Sequence, residues 1–366
     1  MGFKCGIVGL PNVGKSTLFN ALTQAGIESE NYPFCTIEPN IGVVTVNDTR
    51  LDDLSKIVNP KKTIPAVIEF VDIAGLVEGA STGEGLGNQF LSNIRETNAI
   101  IHVLRCYEND NITHVEGSVD PYRDKEIIDF ELQIKDLETI KKRTDRIERQ
   151  AKSGDKSFLK EFNVLDSVVE SLNKGISVRL QSISVEDYNN YIKPLSLLTS
   201  KPVLYVCNIN ENEISNQSTE LTKLIKFLEK EGSRVIVLAA KIEEEINELE
   251  NYEDRKMFLD DLGLTDSGST ILIRETHKLL NLSTFYTAGQ KEVKAWTFVN
   301  GSKAPAVAGI IHSDFEKGFI RAEVIKYEDF VNYGSESKIR EAGKLKVEGK
   351  EYVVEDGDII HFRFNV

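Results

Sequence analysis

A glycine-rich octapeptide near the amino terminus has the residue types and spacing of a phosphate-binding loop. The segment Gly9-Leu10-Pro11-Asn12-Val13-Gly14-Lys15-Ser16 fits the pattern G-x-x-x-x-G-K-[ST]. Glycines let backbone N–H groups turn toward phosphate oxygens, the lysine neutralises the β- and γ-oxygens, and the hydroxyl ligates Mg²⁺. We expect this loop and the residue after it to contact the phosphates through Asn12, Val13, Gly14, Lys15, Ser16 and Thr17.

Two further segments could sense the γ-phosphate and complete a metal site. Asp72-Ile73-Ala74-Gly75 closes a predicted strand, which suits an aspartate that holds the water shell of Mg²⁺ and a glycine N–H that reaches the γ-phosphate. Thr36 lies in the loop between the phosphate loop and that strand, where it is a candidate second hydroxyl ligand. Ser16, Thr36 and Asp72 are therefore the predicted metal residues.

The segment Asn208-Ile209-Asn210-Glu211 stands where a guanine-binding protein has Asn-Lys-x-Asp. Glu211 is one methylene longer than the aspartate that pairs with guanine, and Ile209 replaces the lysine. Adenine needs an acceptor for its N6 amino group and a donor to N7, and the Asn208 amide could supply both. We predict adenine selectivity, with Ile209 against the base and Glu211 holding the loop; the alternative is a GTPase with a degenerate base motif.

The elements that must position these residues alternate as in an α/β sheet. Apolar β-branched runs predict strands at Phe3–Val8, 41–46, 66–72, 99–106, 202–208 and 233–240, and a helix begins near Thr17. Because residues 106–202 are far more than one crossover helix requires, they contain an insertion.

The insertion reads as two long helices that fold back on each other. Apolar residues recur at helical steps from Ile127 and Phe130 to Ala151, and again after Ser153-Gly154-Asp155 as far as Ile176. Residues 135–160 hold nine Lys or Arg and five Asp or Glu, which favours either a solvated helix face or a surface for a polyanion, with Lys141, Lys142, Arg143 and Arg146 at its centre. We predict an antiparallel coiled-coil hairpin.

The carboxy-terminal part changes to short strands. Strands are predicted at 293–299, 319–324, 344–347 and 359–364, with one apolar helix near 304–312, which indicates a compact mixed-sheet module. The acidic run from Glu243 to Asp261 predicts an ordinary solvated helix.

Composition limits the classes of protein that can be proposed. The chain has 366 residues, of which 40% are apolar and 28% charged, so it can form two or three domains with cores. A formal net charge of −14 argues against a protein that coats nucleic acid, and no apolar stretch is long enough for a membrane span. Four scattered cysteines are consistent with the cytoplasm.

Together, GLPNVGKST, the run from Asp72 to Ala80, Asn-x-x-Glu, the helical insertion and the terminal module resemble the YchF subfamily of Obg-like ATPases. The resemblance implies a Ras-like P-loop G domain (1–125 and 200–277), an inserted coiled-coil domain (126–199) and a TGS domain of β-grasp fold (278–366). It also implies ATP as substrate, the ribosome as partner through rRNA and ribosomal proteins, and Ala240 beside the base. We expect a cytoplasmic monomer that binds neither membranes nor DNA and regulates translation or the stress response.

Hydrolysis must be arranged without the usual glutamine, because Leu76 stands at its place. His114, in the Asn- and Asp-rich segment ENDNITHVEGSVDP, is the candidate catalytic residue: a mobile loop could bring its ring to the γ-phosphate, and the family has a histidine at the matching place. The alternative is an exposed loop histidine. Asn12 is a candidate K⁺ ligand or a turn residue.

Three classes of function remain open at this point. The first is a slow ATP-hydrolysing switch, and the second is a nucleotide-gated binding module with negligible turnover. The third, a P-loop kinase, is disfavoured because Asp72-x-x-Gly75 and the terminal module suit conformational signalling better than a substrate lid.

Overall fold

The computed structural model describes residues 2–24, 40–73, 86–249 and 251–365. The strands, in chain order, are β1 (Phe3–Val8), β2 (Ile41–Val46), β3 (Thr63–Ile64), β4 (Ala66–Asp72), β5 (Ala99–Arg105), β6 (Val203–Asn208), β7 (Arg234–Leu238), β8 (Leu282–Ala288), β9 (Val293–Val299), β10 (Phe319–Ile325), β11 (Lys346–Glu348) and β12 (Ile359–Phe364).

The helices, in the same order, are α1 (Lys15–Gln24), α2 (Thr49–Val58), α3 (Leu86–Arg95), α4 (Pro121–Lys152), α5 (Lys156–Leu172), α6 (Val185–Asp187), α7 (Thr219–Lys230), α8 (Ala240–Glu248), α9 (Tyr252–Asp261), α10 (Gly268–Leu279), α11 (Ala304–Ile311), α12 (Ser313–Lys317), α13 (Tyr327–Tyr333) and α14 (Glu336–Glu341). Short 3₁₀ or π turns occur at Val178–Leu180, Tyr188–Ile192, Lys193–Leu195, Leu198–Ser200 and Glu211–Glu213.

The first sheet has the strand order β2-β4-β1-β5-β6-β7. The pairs β1–β5, β5–β6 and β6–β7 are parallel, and every residue of β5 and β6 is buried, which explains their continuous apolar runs. Strands β2 and β4 lie on one side of β1, and β5, β6 and β7 lie on the other. The strand order therefore reverses at β1. Ligands of such sheets bind beyond the carboxyl ends of the strands at this reversal.

The chain divides into two compact units. The larger unit holds Lys4–Gly42 and Glu69–Leu272, and the smaller unit holds Met1–Phe3, Val43–Ile68 and Ile273–Val366. The helical insertion therefore groups with the phosphate loop, and the segment that contains α2 and β3 groups with the terminal module. The finer division into three domains stays a prediction.

The inserted hairpin is confirmed in the larger unit. Helices α4 and α5 are joined by Ser153-Gly154-Asp155, where Gly154 has φ +90° and Asp155 caps α5 by accepting N–H groups of its first turn. The buried core of the hairpin is formed by Ile140, Ile147, Leu165, Val168, Leu172, Val178, Ile192 and Leu197.

One part of the predicted hairpin pattern is wrong. Phe130 is 61% exposed, and Ile128 and Leu132 are buried in its place. The reason is length: α4 has 32 residues and α5 only 17, so the first half of α4 lies outside the pairing with α5. There Asp136, fully buried, accepts backbone N–H groups of Leu198 and Thr199 instead.

The smaller unit contains a mixed sheet in the order β11-β10-β12-β8-β9-β3. Strands β9 and β12 and helix α11 lie where the sequence predicts them, whereas β8 was not predicted. Its polar residues Ser283 and Thr284 are buried and interrupt the apolar pattern that would have revealed it. Helix α2 contributes Leu51 and Leu54 to a core shared with Tyr286 and Val293.

The acidic run forms two helices, α8 and α9, and is not uniformly solvated as predicted. Glu243 is 3% exposed because its two carboxylate oxygens accept the N–H groups of Gly268 and Ser269, which begin α10. Along the described ranges, no helix combines the length and apolar character needed to cross a bilayer.

Candidate nucleotide site

Three residues of the loop between β1 and α1 have positive φ values, which two glycines and an asparagine can adopt. Gly9 and Gly14 have φ values of +155° and +97°, and a Cβ on Gly14 would lie 2.3 Å from the Asn208 side-chain nitrogen. Asn12 has φ +61°, a left-handed conformation that asparagine tolerates. The loop thus ends at the amino terminus of α1, where free N–H groups favour an anion.

Lys15 is the first residue of α1 and is buried within this loop. Its ammonium donates a hydrogen bond of 2.7 Å to the carbonyl of Leu10. Burial lowers the pKa of Lys15 to about 8, although the nearby Asp72 carboxylate acts in the opposite direction.

Ser16 and Asp72 come together as a metal site requires. The Ser16 hydroxyl donates to Asp72 Oδ2 over 3.0 Å, although the residues are 56 positions apart. Asp72 Oδ1 is buried without a hydrogen-bond partner among the described residues, which fits a carboxylate that faces a cation or its water shell. Thr36, Gly75 and Leu76 lie outside the described residues.

The Asn208 side chain joins three parts of the predicted nucleotide site. Its amide nitrogen donates to the carbonyl of Val13 (2.9 Å), its oxygen accepts the N–H of Ala240 (3.0 Å), and its side chain is 3% exposed. Each of these two atoms keeps a second hydrogen-bonding position, so the reading of adenine by Asn208 stays a prediction. In the structure they tie the end of β6 to the phosphate loop and to the start of α8.

The other residues predicted to contact the base differ in their exposure to solvent. Ile209 is 4% exposed, and its N–H donates to the carbonyl of Leu238. Glu211 is exposed at the start of a 3₁₀ turn, and Ala240 is buried as the first residue of α8. Only Glu211 of these three presents its side chain to solvent.

The loop that carries His114 is ordered by contacts that the sequence analysis missed. Arg105 is 1% exposed and donates to three loop carbonyls, those of Tyr107, Asn109 and Ile112. Its signal was an arginine at the end of the apolar strand AIIHVLR. The alternative of an exposed loop histidine is wrong, since His114 is 6% exposed, whereas its movement toward the γ-phosphate stays a prediction.

The phosphate loop and this loop are in direct contact. Asn12 Nδ2 donates to the carbonyl of Thr113 over 3.1 Å, so the residue before His114 is tied to the phosphate loop. This bond, together with its left-handed backbone, gives Asn12 a structural task; its role as a K⁺ ligand stays a prediction.

A phosphate loop at the strand-order reversal of an α/β sheet, with a paired serine and aspartate, defines a P-loop nucleotide hydrolase of Ras-like fold. Comparisons with known proteins agree. A family model described as 50S ribosome-binding GTPase matches residues 4–153, and a YchF-GTPase carboxy-terminal model, described as a protein of unknown function, matches residues 282–365.

Full-length relatives narrow the assignment. The proteins named ribosome-binding ATPase YchF of Bacillus subtilis and of Escherichia coli O157:H7 are each 54% identical to this chain, with full coverage on both sides. The structure of the Schizosaccharomyces pombe YchF GTPase is 38% identical, with a TM-score of 0.88 and coverage of 99% of this chain and 98% of that one. The chain belongs to the YchF family.

Proposed function

We propose that this protein is a Mg²⁺-dependent ATP hydrolase that prefers ATP to GTP, associates with the ribosome in the cytoplasm, and regulates translation or a stress response as a monomer. The observation that carries the proposal is the joined phosphate and metal geometry of Lys15, Ser16 and Asp72 in a chain 54% identical to proteins named ribosome-binding ATPases. The names of the relatives differ between ATPase and GTPase, so the base preference is part of the proposal.

The phosphate and metal residues would act as follows. Lys15 would leave the Leu10 carbonyl for the β- and γ-oxygens, and backbone N–H groups at the start of α1 would bind the remaining charge. Ser16 and Asp72 would hold Mg²⁺, which neutralises the charge that develops on the phosphates. Thr36 and Gly75 complete the set in the proposal.

Adenine preference rests on what the base motif lacks. Ile209 provides no lysine stem to cover guanine, and Glu211 places its carboxylate one methylene too far for the paired hydrogen bonds. Because Asn208 is engaged with Val13 and Ala240, we infer that it acts mainly by holding the base loops against the phosphate loop. Ala240 would then flank the base.

The proposal also assigns roles to the inserted domain, the TGS domain, His114 and K⁺. The inserted domain (126–199) would face the ribosome through its basic residues, together with the TGS domain (278–366), whereas the G domain (1–125 and 200–277) would hold the nucleotide. His114 would position or deprotonate the attacking water, and K⁺ beside Asn12 would assist. The protein would bind neither DNA nor membranes.

A binding titration and a hydrolysis assay test the proposal. ATP and GTP are titrated side by side with Mg²⁺ present, and phosphate release is measured with and without ribosomes. Tighter ATP binding and ribosome-stimulated release are expected. Equal affinities would refute the adenine preference, and ATP binding without release under either condition would favour a nucleotide-gated binding module.

A further inference from the structure

The His114 ring is held by a carboxylate on the first turn of the hairpin helix α4. Its Nε2 lies 2.8 Å from Asp124 Oδ2, and both side chains are almost completely buried, at 3% and 2% exposure. The other ring nitrogen, Nδ1, accepts the backbone N–H of Glu116 over 3.1 Å. Because Nδ1 accepts, the hydrogen of a neutral ring is on Nε2 and is donated to Asp124.

This arrangement leaves the ring without a free lone pair. A general base, or a residue that orients a water as acceptor, must offer an unprotonated nitrogen to that water. Here Nδ1 is occupied by Glu116, and Nε2 is occupied by Asp124. To act on a water, the ring must either free Nδ1 from the Glu116 N–H, or leave Asp124 and shift its proton from Nε2 to Nδ1, which also breaks the bond to Glu116.

Arg123 holds the carboxylate in place. Its Nη2 and Nε lie 3.0 Å and 3.3 Å from Asp124 Oδ1, and its Nη2 also donates to the carbonyl of Ser118 over 2.6 Å. The bonds from the charged guanidinium to Oδ1 are charge-assisted, and they fix the orientation of the carboxyl group whose Oδ2 faces the histidine ring. We call Arg123, Asp124 and His114 the latch.

Two contacts hold the backbone of the loop around His114 near the phosphate loop. Arg105 fixes the first half of the loop, and Asn12 holds the carbonyl of Thr113. The neighbours Ile112 and Val115 are 36% and 45% exposed while the polar His114 is buried. The polar ring is therefore inside the loop, while two apolar neighbours lie at its surface.

Helix α4 connects the latch to the surface proposed to contact the ribosome. It runs unbroken for 32 residues, with Asp124 in its first turn and the exposed Lys141, Lys142 and Arg146 further along. A displacement of the helix by a bound polyanion would carry Asp124 with it.

We propose that Asp124 is a positioning residue that holds His114 in a resting conformation, and that movement of α4 upon ribosome binding releases the ring toward the γ-phosphate. This inference rests on the proposed role of His114 in hydrolysis.

The test is Asp124→Asn in the full-length protein, with phosphate release measured at saturating ATP. The neutral amide keeps the size of the side chain but weakens the bond to His114, so ribosome-free kcat should rise by about fivefold while KM is unchanged. Stimulation by ribosomes should shrink by the same factor. Arg123→Gln, at a partly exposed position, should give a smaller rise in the same direction.

The matched control is Asp129→Asn. Asp129 lies on the same helix, is similarly buried, and pairs with Lys125 and Arg179 without contacting His114. It should leave ribosome-free kcat unchanged. An equal rise in this variant would mean that loosening α4 anywhere is enough, and the latch would be refuted.

A double variant separates the latch from the role of His114. Asp124→Asn combined with His114→Ala should show no rise, and His114→Ala alone should lower ribosome-stimulated kcat about tenfold or more. A normal rate in His114→Ala would refute the proposed role of His114. A low rate in His114→Ala together with an unchanged or lower rate in Asp124→Asn would refute the latch alone.

Discussion

At the scale of single residues, the buried ammonium of Lys15 links nucleotide binding to pH. Its pKa of about 8 lies below that of an exposed lysine because burial disfavours the charged form. Phosphate oxygens need the charged form, so binding raises this pKa and takes up a proton where the free side chain is neutral.

ATP affinity should therefore be constant below about pH 7.5 and fall above about pH 8, by up to about tenfold per pH unit. Calorimetric titrations in buffers of different ionisation heat would show both the fall and the proton uptake. Lys15→Arg serves as control, since a guanidinium stays charged and should give weaker but pH-independent binding. An unchanged affinity from pH 7 to 9.5 in the wild type would contradict the prediction, as would ATP binding by folded Lys15→Ala.

Asn208→Ala distinguishes a structural brace from a base contact. Loss of the amide leaves the Val13 carbonyl and the Ala240 N–H without their partner, which should cost about 1–3 kcal/mol of unfolding free energy and weaken ATP and GTP binding alike. Asn210→Ala is the matched control, because its side chain is exposed and, among the described residues, bonds only the N–H of Glu211. A loss of ATP affinity without a loss of GTP affinity would instead support a direct contact between Asn208 and adenine.

At the scale of elements, the structure changes how the hairpin surface should be tested. Arg143 donates to both carboxylate oxygens of Glu161 over 2.6 and 2.9 Å, so it stabilises the pairing of α4 with α5. Its reversal would disturb the hairpin itself. The residues suited to a test of ribosome contact are the exposed Lys141, Lys142 and Arg146.

Replacing these three residues by glutamate should weaken ribosome co-sedimentation in a salt-dependent way and leave ATP affinity unchanged, because contacts to phosphates depend on released counterions. The same change in charge at Lys223, Lys226 and Lys230, all exposed on α7, is the control. Equal losses from the two triple variants would indicate a general effect of net charge rather than a contact by the hairpin.

At the scale of the whole molecule, the smaller unit is assembled from distant parts of the sequence. Strand β3 pairs in parallel with β9, and Arg50 joins Asp48 to Asp356 by ion pairs of 2.8 and 2.7 Å. Leu54 is fully buried in the same core as Tyr286. The carboxy-terminal segment alone therefore lacks part of its own core.

A fragment of residues 273–366 should not fold stably and should show no cooperative unfolding transition. The same fragment joined to residues 43–68 by a flexible linker should fold. Thermal unfolding followed by circular dichroism would compare the two. Leu54→Ala in the linked fragment should lower its stability by about 2–5 kcal/mol, since it leaves a cavity. Cooperative unfolding of the 273–366 fragment at the same temperature would show that α2 and β3 are dispensable.

The sequence by itself determined many of the elements and the phosphate-loop motif of this protein. The strands β1, β2 and β4, the hairpin and the order Gly9 to Ser16 follow from local periodicity and from one short motif, so neighbouring residues carry all the information. The predicted face of α4 is wrong at Phe130, because the partner of a helix depends on distant segments whose lengths a periodic pattern does not encode.

The tertiary structure alone decided what several functional side chains contact. Asn208 braces Val13 across 195 positions, Asp72 meets Ser16 across 56, and the buried Arg105 orders the loop of His114. A polar side chain has the same hydrogen-bonding groups whether its partner is a ligand or the protein backbone. Only the folded structure decides which partner the side chain contacts, and the partner of His114 is Asp124 on the first turn of α4.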